Sequence, residues 1–113
     1  MAGNPHDIFI TYDSLLGEYV VTPSIVVKKT HKVRIKNDTD PDHVTDVTVQ
    51  FCCDEMVEPP QHEPFVLAPG DARTFTIHSS AGGGIHCFAV FCHATMKYAL
   101  GGSMPIIIVD PKK

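Results

Sequence analysis

Short stretches in which apolar and polar residues alternate recur along this chain, and they constrain its fold more than any other feature. The clearest covers residues 44–53, where Val47 and Val49 share one face of a strand. The other predicted strands are residues 7–12, 24–28, 31–36, 65–67, 73–78, 85–92 and 104–109. Because turns rich in proline and glycine separate them, the sequence predicts an all-β chain, a single antiparallel Greek-key β-sandwich of about eight strands.

The length and composition fit one compact domain. The chain has 113 residues, of which 43% are hydrophobic and 19% charged, so we expect a single domain over residues 1–113 rather than disorder. Nine prolines and eight glycines leave little room for long helices. Helix is therefore expected over at most about one or two turns, within residues 54–64 or near Met96.

The charge pattern gives no reason to expect a nucleic-acid partner. The net charge is −4, whereas proteins that bind a phosphate backbone present clustered cations. The basic cluster within residues 28–36 includes Lys32 and Arg34, which alternate with apolar residues. This alternation is typical of the solvated face of a strand, and a docking stripe for an acidic partner is the alternative interpretation.

We expect no membrane span, since the apolar run at residues 105–109 is far shorter than the roughly 20 residues that cross a bilayer. The N-terminal residues lack the basic and apolar regions of a signal peptide. The expected location is therefore cytoplasmic if the chain is complete, and periplasmic or secreted if a signal has been removed.

The sequence shows no catalytic constellation, and we expect the protein not to be an enzyme. Ser79 and its neighbour lack the context of a nucleophile elbow, and the glycines at residues 82–84 lead into a strand rather than a helix. The aspartates within residues 38–42 resemble the opening of a calcium loop. That loop needs glycine where His43 stands and glutamate where Val49 stands, so a solvated acidic turn is the favoured interpretation.

The four cysteines do not form a self-contained metal motif. At roughly 3.3 Å per residue, His86 and Cys92 would lie about 20 Å apart along one strand. Cys87 and Cys92 face opposite sides of that strand, so they are not expected to pair. If Cys92 binds a metal, at most one bridge is expected, between Cys87 and either Cys52 or Cys53. If the chain is intracellular, we expect all the thiols to be free.

A different set of side chains, of types that can bind a metal, lies around the end of the strand predicted at residues 85–92. Cys92 is its final residue, His93 follows, and the next loop carries Met96 and Met104. Upstream, His43 precedes another strand and shares the parity of its apolar residues, so its imidazole can lean over the end of the core. A thiolate, imidazoles and a thioether are the ligands of copper electron-transfer sites.

This order of residues resembles that of the cupredoxin family, loosely, over residues 24–109. Residues 67–77 look like the turn and strand that precede the ligand loop in that family. The resemblance implies a Greek-key sandwich that binds one copper ion and transfers single electrons to a redox or other protein partner. It implies His43, Cys92 and His93 as metal ligands, with either Met96 or Met104 as the weak axial ligand.

The alternative is a metal-free cupredoxin-like sandwich that acts as a binding or protein-interaction module. Family members place two or more residues between the cysteine and the second histidine, whereas His93 directly follows Cys92 and faces away if the strand continues. In this interpretation the contact surfaces are formed by the loops at residues 38–44, 82–85 and 93–103. An immunoglobulin-like domain is disfavoured because its Cys…Trp…Cys pattern is missing.

Overall fold

The computed structural model describes residues 6–22, 25–51, 57–58, 63–78, 84–99 and 106–109. Within these ranges the chain forms eleven strands and no helix. The strands are β1 (His6–Asp13), β2 (Glu18–Thr22), β3 (Ile25–Val27), β4 (Lys32–Asn37), β5 (Val47–Phe51), β6 (Val57–Glu58), β7 (Phe65–Leu67), β8 (Ala72–Ile77), β9 (Gly84–Cys92), β10 (Lys97–Tyr98) and β11 (Ile106–Val109). The described residues thus include no helix that is long and apolar enough to cross a membrane.

The strands form two sheets. One has the order β2-β1-β4-β8-β6, and the other has the order β3-β11-β9-β5-β7 with β10 paired to β9. Most neighbours are antiparallel, but β1 and β4 are parallel, and so are β3 and β11. From β2 to β9 the chain changes sheet at every step, as chains do repeatedly in Greek-key sandwiches. The predicted all-β sandwich is confirmed.

The core lies between the two sheets and follows from the alternation in the sequence. On β5, Val47, Val49 and Phe51 are buried while Gln50 is exposed, because successive side chains of a strand point to opposite faces. The Phe51 ring of one sheet meets the Phe75 ring of the other edge to face, with centroids 5.2 Å apart. The largest side chains with under 2% exposure are Phe75, Phe88, Ile8, Ile10, Ile35, Ile77 and Ile107.

A buried amide joins the end of β4 to the loop that follows it. The Asn37 side chain is fully buried, and its Nδ2 donates to the carbonyl oxygens of Thr45 at 2.7 Å and Leu67 at 2.9 Å. Its Oδ1 accepts from the Thr39 hydroxyl at 2.9 Å and more weakly from the Thr39 amide at 3.3 Å. Because buried polar groups are costly unless they are paired, these bonds hold residues 38–46 in one conformation.

The structure corrects the sequence analysis at several strand boundaries. Strand β5 begins at Val47 rather than at residue 44, since the Asn37 bonds hold the preceding residues as a loop. The expected helix of at most one or two turns does not form near Met96, where residues 93–96 form a turn and β10 pairs with β9. Most of residues 54–64, the other expected place, lie outside the described residues. Strands β2 and β6 were also missed. The last predicted strand is described over residues 106–109, so Met104 lies outside the described residues.

Candidate functional site

Four segments meet at one end of the sandwich, which we name the Cys92 end. Strand β9 finishes there at Cys92, opposite Val47 in the β5 register. The loop at residues 38–46 enters β5 at this end, and the turn at residues 93–96 leaves β9 there. The β1–β2 hairpin turn at residues 14–17 lies at the same end, because β1 runs parallel to β4.

Hydrogen bonds at Thr45 and Asp46 join the loop at residues 38–46 to the turn at residues 93–96. The Thr45 hydroxyl accepts from the Ala94 amide at 2.8 Å and donates to the Asp46 carbonyl at 2.9 Å. The Asp46 carbonyl also accepts from the His93 amide at 3.0 Å. An open cleft of about 380 Å³ lies beside these contacts. Its lining consists of Val44, Thr45, Asp46, Pro69, His93 and Ala94.

Cys92 faces the interior of the sandwich. It continues the buried row of Phe88 and Val90, and its own exposure is 0%. Burial raises the pKa of the Cys92 thiol to about 11. Burial is the largest cause that raises the pKa of Tyr19, and electrostatic interaction with the neighbouring Cys92 is the next. The Tyr19 hydroxyl and the Cys92 thiol therefore lie close enough to interact electrostatically. Cys92 is thus a free, protonated thiol near neutral pH, as buried cysteines usually are.

His43 lies in the loop before β5 and is held by two tyrosines. Its ring stacks on that of Tyr12, with centroids 3.7 Å apart and planes inclined by 8°. The Tyr19 hydroxyl donates to the His43 carbonyl at 2.8 Å, and the His43 Nδ1 lies 2.9 Å from Asp40 Oδ1. The expectation that strand parity directs His43 toward the core does not hold, since β5 starts four residues later.

His93 lies on the other side of the second sheet from Cys92. Its side chain is exposed, and its Nε2 lies 2.7 Å from the hydroxyl of Thr48, a residue between the buried Val47 and Val49. The two consecutive side chains thus face opposite ways, as the sequence predicts if the strand runs through Cys92. Met96 is 71% exposed on the turn, where its φ is +55°.

The described residues do not fit the predicted ligand set of a copper centre. They bring the Cys92 thiol and the His43 loop to the same end, but they place His93 on the outer surface and Met96 in solvent. Within the described ranges, no group of three or more His, Cys, Asp or Glu side chains is arranged to hold a metal ion.

Tyr12, Tyr19 and the hairpin between them are parts of this end that were not predicted from the sequence. The two tyrosines face each other in the β1–β2 register, and their rings meet edge to face with centroids 5.0 Å apart. The sequence contains an indication of this hairpin, because strand-forming residues flank a short turn that ends in Gly17. The φ of Gly17 is +67°. At the tip of this hairpin, Leu15 is 97% exposed and Leu16 is 63% exposed.

Comparisons with known proteins support the fold alone. No protein-family model and no curated protein matches this sequence. Among solved structures, a copper nitrite reductase from Nitrosomonas europaea aligns with 97% of this chain at a TM-score of 0.56 and 15% identity. This chain spans 43% of the nitrite reductase chain. The chain therefore has a cupredoxin-like fold, as the sequence predicts.

Two further solved structures align less closely. Fet3p, a multicopper oxidase that functions in iron import, has a TM-score of 0.49 and 15% identity over 95% of this chain, which covers 23% of Fet3p. Auracyanin B has a TM-score of 0.43 and 12% identity, with 96% of this chain and 91% of auracyanin B aligned.

Proposed function

We propose that this chain is a non-catalytic, cupredoxin-like binding module whose Cys92 end contacts another protein. The exposure of apolar side chains at that end carries the proposal. Leu15, Leu16 and Met96 are each more than 60% exposed there, and Val44 is 50% exposed. Exposed apolar groups that gather on one surface of a soluble domain commonly mark an interaction site.

The hairpin tip is held in a fixed conformation before any partner binds. Asp13 Oδ1 accepts hydrogen bonds from the backbone amides of Leu15 at 2.9 Å and Leu16 at 3.2 Å. The Gly17 amide donates to the Asp13 carbonyl at 2.8 Å, and Gly17 supplies the positive φ that closes the turn. A tip that is already ordered loses little conformational entropy on binding, which favours its use as an anchor.

The charges around the tip indicate what kind of protein it contacts. Six carboxylates lie on or next to the segments that form the Cys92 end, namely Asp13, Glu18, Asp38, Asp40, Asp42 and Asp46. Two lysines lie there: Lys36 pairs with Asp38 at 3.8 Å, and Lys97 is exposed opposite Cys92 in the β10 register. A complementary partner therefore has an apolar pocket bordered by Lys and Arg side chains. An anionic membrane surface would repel this end.

Changing both hairpin leucines to aspartate (Leu15→Asp with Leu16→Asp) is expected to weaken partner binding about 100-fold, since two buried anchors would be lost. The partner is first identified by photo-crosslinking from a Leu16→benzoylphenylalanine variant and is then purified. Its affinity is measured by calorimetry at low and high salt. Because the contact includes opposite charges, we expect affinity to fall as salt rises.

The matched control is Val26→Asp with Val66→Asp, which places the same two charges on β3 and β7, where Val26 is 60% exposed and Val66 is 53% exposed. This variant is expected to bind the purified partner as the unchanged chain does. Equal loss in the control, or less than a threefold loss in the double leucine variant, would overturn the proposal. Binding of the unchanged chain to anionic vesicles in place of a protein would also overturn it.

Copper-dependent electron transfer is the second candidate function. The position of Cys92 favours this function, because Cys92 is the last of the inward-facing residues of β9 and the loop that carries His43 lies at the same end. The position of His93 on the outer surface weighs against it. Addition of copper to the wild type and to a Cys92→Ala variant separates the two candidates.

A further inference from the structure

We propose that His6 and His31 form a two-histidine site for a divalent transition-metal cation. The His6 Nε2 lies 3.4 Å from the His31 Nδ1, and the planes of the two rings are inclined by only 14°. The ring centroids are 5.6 Å apart, so these two nitrogens lie on the edges of the rings that approach each other. A neutral imidazole binds a metal through either its Nε2 or its Nδ1.

The distance between the two nitrogens suits a shared cation better than a hydrogen bond. Strong N–H···N contacts are shorter than the 3.4 Å found here, so the pair gains little from direct contact. Two imidazole nitrogens bound at about 2.0–2.1 Å to one tetrahedral cation lie roughly 3.3 Å apart. Both side chains are half-buried, which leaves room for small ring rotations and for water to complete the coordination.

The backbone holds the two histidines in place, His6 at the start of β1 and His31 directly before the neighbouring β4. His6 pairs with Val33 in the parallel register of β1 and β4, and His31 precedes β4. The amide of His31 donates to Lys28 at 3.2 Å, and its carbonyl accepts from the Ile77 amide at 2.8 Å. Ligands that are fixed before binding lose less entropy when a cation joins them.

This pair lies at the end of the sandwich opposite Cys92, since β1 and β4 both begin there and β9 ends at the Cys92 end. It is therefore independent of the protein contact proposed above. Lys28, Lys29 and Lys32 are nearby cations that oppose a positive ligand. We expect them to keep the affinity moderate, and imidazole ligands favour Ni(II), Cu(II) or Zn(II).

Calorimetric titration of the full chain with Ni(II) tests this site. We expect one ion per chain, and we expect His6→Ala and His31→Ala each to weaken binding about tenfold or more, because the second imidazole then no longer acts within the same molecule. At saturating Ni(II) the melting temperature of the wild type should rise by about 5 °C or more, with a clearly smaller rise in each variant.

The control variants are His43→Ala, His93→Ala and Cys92→Ser, which change the opposite end and should bind Ni(II) as the wild type does. Unchanged affinity in both His6→Ala and His31→Ala, with their circular dichroism spectra like that of the wild type, would overturn the proposal. So would loss of Ni(II) binding in His93→Ala alone. Neither result bears on the leucine hairpin, so failure of this site and failure of the proposed function are distinguishable.

Discussion

Replacing Asn37 with leucine is expected to lower the free energy of unfolding by about 4 kcal/mol, because each buried polar group left without a partner costs about 1–3 kcal/mol. The change removes both donors to the carbonyls of Thr45 and Leu67 and the acceptor used by Thr39. All these groups lie at the base of the loop that carries His43. Urea denaturation followed by circular dichroism measures the effect.

The matched control for this change is Thr39→Val, which removes one hydroxyl from the same network and keeps the Asn37 amide. Its expected cost is about 1 kcal/mol, typical of a single hydrogen bond. Near-ultraviolet circular dichroism should change in Asn37→Leu, because the loop no longer holds His43 against Tyr12. A loss of stability below about 1 kcal/mol in Asn37→Leu would contradict the role assigned to this amide.

Alternation identified the long strands of this fold because one side of each packs on the core. The buried rows of β5 and β8 are read directly from the sequence. Strands β6 and β10 escaped because two residues carry no period. Strand β2 was missed although Gly17 marks the turn before it, because two leucines in that turn obscure the polar signal usual for a hairpin.

The direction in which a site residue faces was predictable where alternation along a strand determines it. It was not predictable where tertiary contacts determine it. Cys92 faces inward and His93 outward, as alternation on β9 requires. The position of His43 depends on its stacking with Tyr12 and on the Tyr19 hydroxyl, which are distant in sequence. The His6 and His31 pair was also invisible, because the parallel register of β1 and β4 joins them.

The Cys92 thiol is expected to react with iodoacetamide about 100-fold more slowly at pH 8 in the folded protein than in urea. Its folded pKa of about 11 leaves about 0.1% as thiolate, whereas about a tenth of the thiol is ionised at its ordinary pKa of 9.0. Peptide mass spectrometry of the alkylated chain measures this rate at Cys92 alone. The folded rate should rise about tenfold per pH unit until the pH approaches 11.

Cys92 in the urea-unfolded chain is the internal control, since sequence and reagent are then the same. Complete burial adds a second barrier, because the reagent reaches the sulfur only when the end of β9 opens. A folded rate within tenfold of the unfolded rate at pH 8 would contradict the assignment of Cys92 as a protonated core residue. It would instead indicate a reactive thiolate of the kind that binds metals.

Visible absorption after Cu(II) is added to the reduced protein tests the central claim most directly. Because His93 lies outside the sheet and the Cys92 thiol is buried and protonated, we predict no intense thiolate-to-copper band. Any weak absorption from copper on imidazoles should be the same in Cys92→Ala and should fall in His6→Ala. An intense visible band at one copper per chain that disappears in Cys92→Ala would contradict the account and establish the copper centre.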